Sequence, residues 1–203
     1  MKKYAVLHEP GDIVTLAGTR FVVLDVERRG SLPDSLFLLA LESVGASEFG
    51  SSNNYAESDL KKAVDKWLED MGKRGLDNAK LIPREIDLTT LDGSGCYGKL
   101  SVKAAPLTLD EAREYADIIP NAERWCWLAT GWSGPSKSDG DLALNVSSNG
   151  DWGGNHCSNS GGIRPALKIP SDLLLDSADK PDLSEVPTDT LLEEIRRRVV
   201  DKA

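Results

Sequence analysis

The chain has 203 residues, 40% of them hydrophobic, and its 24 Lys and Arg against 33 Asp and Glu give a net charge of −9. That length suits one domain with a small appendage, and the apolar content suffices for a core. The charge has the wrong sign for nucleic acid or an anionic membrane surface as the main partner. No apolar run is long enough to span a bilayer. The apolar stretch behind Lys2 and Lys3 stops after about four residues, too short for a signal peptide, so synthesis in the cytoplasm and no membrane insertion are expected. Cys96, Cys126 and Cys157 are odd in number and contain no C-x-x-C pair, which reads as reduced and mostly packed thiols.

Residues 11–16 and 20–26 are β-branched runs separated by Ala17-Gly18, a hairpin pattern. Residues 30–34 read as a turn. Residues 35–41 are apolar at nearly every position, which suits a strand covered on both faces. Ser58-Asp59 caps a helix reaching about Met71, in which Leu60, Ala63, Val64, Trp67, Leu68 and Met71 form one stripe, with Gly72 and Gly75 at its end. Residues 82–84 and 86–88 are short extended pieces, and residues 92–95 a loop. Thr108 and Glu111 have capping-box spacing and open a second helix, expected to run to Ile118 before Pro120.

From Trp125 the character changes. Residues 125–129 read as a strand, residues 141–146 as a half-buried strand, and residues 163–169 as the last strand, with Pro165 marking an edge or a start. Residues 171–187 are acidic and Pro-containing, a linker. Thr188 then caps a tail helix over 188–203, whose Leu191, Leu192, Ile195 and Val199 need cover from the main domain or a second copy.

Four of the five tryptophans, Trp125, Trp127, Trp132 and Trp152, fall in this late region. Trp125 and Trp127 share strand parity and so face one side, the core. Trp132 and Trp152 sit in Gly-rich stretches, each either a lid on the core or a binding anchor. Small polar residues surround them. The candidate ligand-binding set is Trp132, Ser133, Ser136, Asn149, Asp151, Trp152, Asn155, His156, Ser158, Asn159 and Ser160, adaptable hydrogen-bonding groups beside aromatic anchors. An irregular region that folds on itself and binds nothing is the competing reading. Lys137 is the only cation between Trp125 and Ile163, so a phosphate cradle is not expected. His156 and Cys157 are neighbours, but on a strand they point to opposite faces and form no dyad. No nucleophile elbow, P-loop, dinucleotide fingerprint or His-Glu-x-x-His is present. Asp139, Asp141 and Asp151 offer carboxylates for calcium, without EF-hand spacing. No catalytic residue, metal or cofactor is therefore assigned.

This order of elements resembles a C-type-lectin-like domain, an α+β fold. The specific marker is Gly161-Gly162-Ile163-Arg164-Pro165-Ala166-Leu167, similar to the closing motif of such domains in phage and gut-bacterial proteins. Phe37-Leu38-Leu39, Asn53-x-Tyr55, Ser58-x-Leu60 and Trp125-x-Trp127-Leu128 fit the same family in the same order, covering roughly residues 10–170. The resemblance implies a ligand-display domain over 1–170, followed by the linker and the tail helix. Some members are variable proteins of diversity-generating retroelements. On that likeness the 132–160 loops would carry the diversified positions, and Arg164 and Pro165 would be scaffold, Arg164 hydrogen-bonded to loop carbonyls.

The expected function is non-enzymatic recognition of a protein or glycan on a cell surface by a phage- or prophage-encoded, virion-associated protein. The alternative is a structural virion or assembly component that oligomerises, or meets a virion partner, through the tail helix. The Glu-Pro-Asn and Trp-Asn-Asp calcium motifs of sugar-binding lectins are missing. Cys126 and Cys157 lack the motif context of the related formylglycine-generating enzymes, the third possibility.

Overall fold

A computed structural model describes residues 2–4, 8–29, 32–171 and 173–177. Strands β1 (Lys2–Tyr4), β2 (Ile13–Leu16), β3 (Thr19–Arg29), β4 (Leu32–Ala40) and β5 (Ala46–Glu48) come first. Helix α1 (Asp59–Lys73), β6 (Arg84–Asp87), β7 (Lys99–Val102), β8 (Ala104–Ala105) and the short α2 (Leu109–Glu114) follow. The rest is β9 (Cys126–Gly131), β10 (Leu142–Val146), β11 (Trp152–His156), β12 (Ser160–Gly162), β13 (Ala166–Pro170) and β14 (Leu174–Ser177). The result is a mixed α+β fold, mostly sheet. A seven-stranded sheet has the order β1-β14-β2-β3-β4-β13-β8, a five-stranded sheet the order β11-β10-β9-β12-β5, and β6 pairs with β7.

The large sheet explains the apolar run at residues 35–41. Leu36 and Leu38 of β4 join one hydrophobic cluster with Phe21, Val23, Phe49, Trp127 and the α1 stripe. Phe37 and Leu39 join the other, with Val22, Leu24, Leu107, Leu109, Leu128 and Leu144. Successive side chains point to opposite faces, so a strand covered on both sides has no polar alternation. An irregularity in the β3–β4 register between Val23 and Asp25 reverses the parity, and Val26 thereby returns to the first cluster.

Local chemistry sets the boundaries. Ala17 (φ 46°) and Gly18 (φ 78°) both take positive φ between β2 and β3, the turn whose twist suits a two-residue hairpin. The Ser58 side chain accepts a hydrogen bond from the Lys61 N–H at the start of α1. Leu60, Val64, Trp67 and Met71 of that helix are buried. Thr108 and Glu111 complete the expected capping box. The second helix nevertheless ends at Glu114 rather than Ile118. Turns carry the chain on toward Pro120, whose predecessor is disfavoured in helix.

Three expectations are corrected. Residues 163–169 are not the last strand: Leu174–Ser177, within the stretch read as a linker, forms β14 between β1 and β2. Of the two readings of Pro165, the start holds: it immediately precedes β13, which is interior, flanked by β4 and β8. Trp152–His156, read as loop, is the edge strand β11, paired antiparallel with β10. The remainder of the linker and the tail helix at 188–203 lie outside the described residues. Among the described residues no helix is long and apolar enough to cross a membrane.

Candidate functional site

The closing motif is built into the frame. Trp125 and Trp127 do share one side, with ring centroids 4.8 Å apart and nearly perpendicular planes. Both press onto Gly161, where a Cβ would stand 2.3 Å from the Trp125 ring and 2.6 Å from Trp127 Nε1. Gly162 pairs with Cys126 across β12 and β9. Arg164 donates from Nε to the Ala40 carbonyl at 2.7 Å and from Nη1 to the Pro120 carbonyl at 2.9 Å. The Pro165 carbonyl accepts from the Ala40 N–H at 2.8 Å. Each residue of the motif thus ties distant segments together.

Trp152, Gly154 and His156 occupy alternate positions of β11 and all three are exposed. Trp152 exposes 41% of its surface, and the Arg113 guanidinium stands over its ring at 5.6 Å. Trp132 comes to the same face from beyond β9. Its ring lies against Gly154, where a Cβ would fall 2.6 Å from it, and it packs on the second hydrophobic cluster. The two open possibilities are therefore divided: Trp132 is a half-buried lid, Trp152 an exposed aromatic.

At the far end of β11, His156 Nδ1 lies 3.0 Å from Asp141 Oδ2, both side chains being well exposed. Cys157 is buried behind it, as opposite strand faces require. Burial and then the nearby Asp141 charge push the Cys157 thiol up to about 12. Burial likewise raises the Cys126 thiol. Both are protonated at neutral pH and poor nucleophiles there.

The other expected residues divide by place. Asn149 and Asp151 are exposed in the β10–β11 turn, where Asn149 Nδ2 donates to Asp151 Oδ2 at 2.7 Å. Ser158 and Asn159 are exposed after β11, and exposed Ser160 opens β12 opposite Glu48. Ser136 is exposed on the 133–140 loop, which Lys137 Nζ pins to Asp92 Oδ2 at 2.6 Å. Asn155 is half-buried on the opposite side of β11 from Trp152, accepting from Asn159 Nδ2 at 3.2 Å.

Ser133 is a correction. It is 3% exposed, and its carbonyl accepts from Asn53 Nδ2 at 2.8 Å. Asn53 also donates to the Leu142 carbonyl at 3.0 Å and accepts from the Tyr97 hydroxyl at 2.6 Å. Such a clamp holds the chain at residue 133 inside the molecule, where it can show nothing to a partner. Trp152 and His156 are four residues apart on β11, roughly 13 Å at strand rise. The exposed residues therefore form a strip with two ends rather than a single cluster.

Sequence reasoning missed Arg113. It counted Lys137 as the only cation of the region, but α2 brings a guanidinium over Trp152. Asn53 stands in the Asn53-x-Tyr55 pattern, but a loop asparagine gives no sign of the carbonyls it will reach. Asp139, Asp141 and Asp151 do not converge on an ion: among the described residues no three acidic, imidazole or thiol side chains gather as a metal site. Searches among protein families, curated proteins and solved structures each return no match.

Proposed function

We propose that the chain is a non-enzymatic ligand-binding protein of the C-type-lectin-like class. Its outward strip, from Asn149, Asp151 and Trp152 to His156, Ser158 and Asn159, recognises a protein or glycan on a cell surface. The observation that carries this reading is Trp152. A large aromatic in the exposed row of an edge strand, with a guanidinium over it, supplies contact area and directed polar groups together. The segregation around it supports the same reading: the closing motif is wholly framework, whereas the residues just upstream of it are mostly exposed. Phage or prophage origin and retroelement diversification of these positions belong to the same proposal, through the order of motifs ending in Gly161-Gly162-Ile163-Arg164-Pro165. The protonated, buried thiols of Cys126 and Cys157 favour recognition over oxidase chemistry.

The test is a binding screen of the purified chain against arrayed glycans and bacterial surface proteins, repeated with Trp152→Ala and His156→Ala. A ligand whose affinity falls about tenfold or more with Trp152→Ala, at unchanged circular dichroism, is the expected result. Ligands that bind both variants like the parent chain would contradict it.

A further inference from the structure

Beneath Trp152, the turns after α2 and the β10–β11 hairpin enclose a cavity of about 140 Å³. Its walls are largely apolar, including Leu39, Leu107, Leu128, Val146 and Ile119. Ala116 and Trp152, both exposed, also line it and form its outer rim. Among the described residues no Asp or Glu contributes to the lining.

One charged group does. Arg164 lines this cavity and is 7% exposed. Two of its nitrogens are occupied by the Ala40 and Pro120 carbonyls, while Nη2 is buried and has no hydrogen-bond partner among the described residues. Burial holds its pKa below the usual arginine value, against a smaller opposite effect from the neighbouring Cys126. A buried guanidinium with neutral partners only is costly, and an anion supplied from outside would relieve it.

We propose that this cavity binds a small apolar carboxylic acid, its hydrocarbon body under Trp152 and its carboxylate at the Arg164 end, where the guanidinium turns to bring the buried Nη2 to it. A cavity of about 150 Å³ accommodates benzene, so one ring fills this space, and a single-ring acid such as benzoate or phenylacetate fits with part of its body at the open rim beside Ala116 and Trp152. The site lies inside the fold, and the proposal does not depend on the outward strip having a macromolecular partner.

Calorimetric titration of the full chain with phenylacetate, 2-phenylethanol and acetate tests it. Phenylacetate should bind saturably at one site, and the neutral alcohol about tenfold more weakly or less. Acetate, lacking the apolar body, should show no saturation. Arg164 also holds two backbone segments, so substituting it confounds binding with folding. Ala116→Phe avoids this: Ala116 is exposed on the rim, and a ring there fills the cavity from outside. That variant should lose phenylacetate binding while unfolding in urea like the parent chain. Equal affinity for acid and alcohol would overturn the proposal, as would undiminished binding by Ala116→Phe. So would the absence of saturation by phenylacetate up to tens of millimolar. Loss of macromolecular binding in His156→Ala with phenylacetate binding intact would separate the two sites.

Discussion

Trp132 and Trp152 lie on one face of β11 and meet it differently. Trp132 rests on Gly154 and the second hydrophobic cluster, whereas Trp152 turns its surface to solvent under Arg113. Trp132→Ala should therefore cost roughly 2–3 kcal/mol in urea denaturation, the cost of uncovering part of the core. Trp152→Ala should stay within about 0.5 kcal/mol, as surface changes do. The cysteines follow the same division. Cys96 is exposed, while Cys126 and Cys157 are buried with raised thiols. At pH 8, iodoacetamide should modify Cys96 readily and the other two only after denaturant is added, as peptide mass mapping would read. Rapid modification of Cys157 in the native protein would show that the region behind β11 is open.

At the scale of elements, packing decides more than propensity. Gly161→Ala should cost about 1–3 kcal/mol, because the added methyl must displace both tryptophan rings; equilibrium denaturation reads this directly. The 133–140 loop is held differently, by the Lys137–Asp92 ion pair. The hydrogen bond from Lys137, followed by that from Thr90, keeps the Asp92 carboxyl well below the usual carboxylate range. A depressed folded value means that the contact holds at neutral pH and is lost only as pH falls through that value. The loop should thus resist proteolysis down to about pH 4, near the ordinary aspartate value. Asp92→Asn should be cut faster even at pH 7.

Helices α1 and α2 and the β2–β3 hairpin could be read from the sequence because their signals are local: caps at Ser58 and Thr108, and a turn at Ala17-Gly18. Strand β11 could not. Trp-Gly-Gly-Asn-His has little strand preference, and its pairing with β10 is tertiary in origin. The end of α2 differs too: the helical pattern runs on to Ile118, but beyond Glu114 the Ala116 and Ile118 N–H groups close three-residue turns on Arg113 and Tyr115 instead. Buried Ser133 illustrates the remaining gap: only the distant Asn53 shows that a serine in a Gly-rich stretch is framework.

At the scale of the whole fold, the described residues form three sheets and two hydrophobic clusters, a frame whose late segments divide cleanly. Residues 161–165 join strands that are far apart in sequence, whereas Asn149, Asp151, Trp152, His156, Ser158 and Asn159 add side chains that the core does not use. Recognition requires this separation: a face can vary or bind without reporting to the fold only if its side chains carry little of the stability. The most direct measurement is the urea-unfolding free energy of a chain with all six of these residues replaced together, five by serine or alanine and Ser158 by alanine. The expected loss is within about 2 kcal/mol, small increments summed over exposed sites, with the unfolding slope unchanged. A chain that no longer folds cooperatively would contradict it, showing that this strip is part of the framework and not a surface held out for a partner.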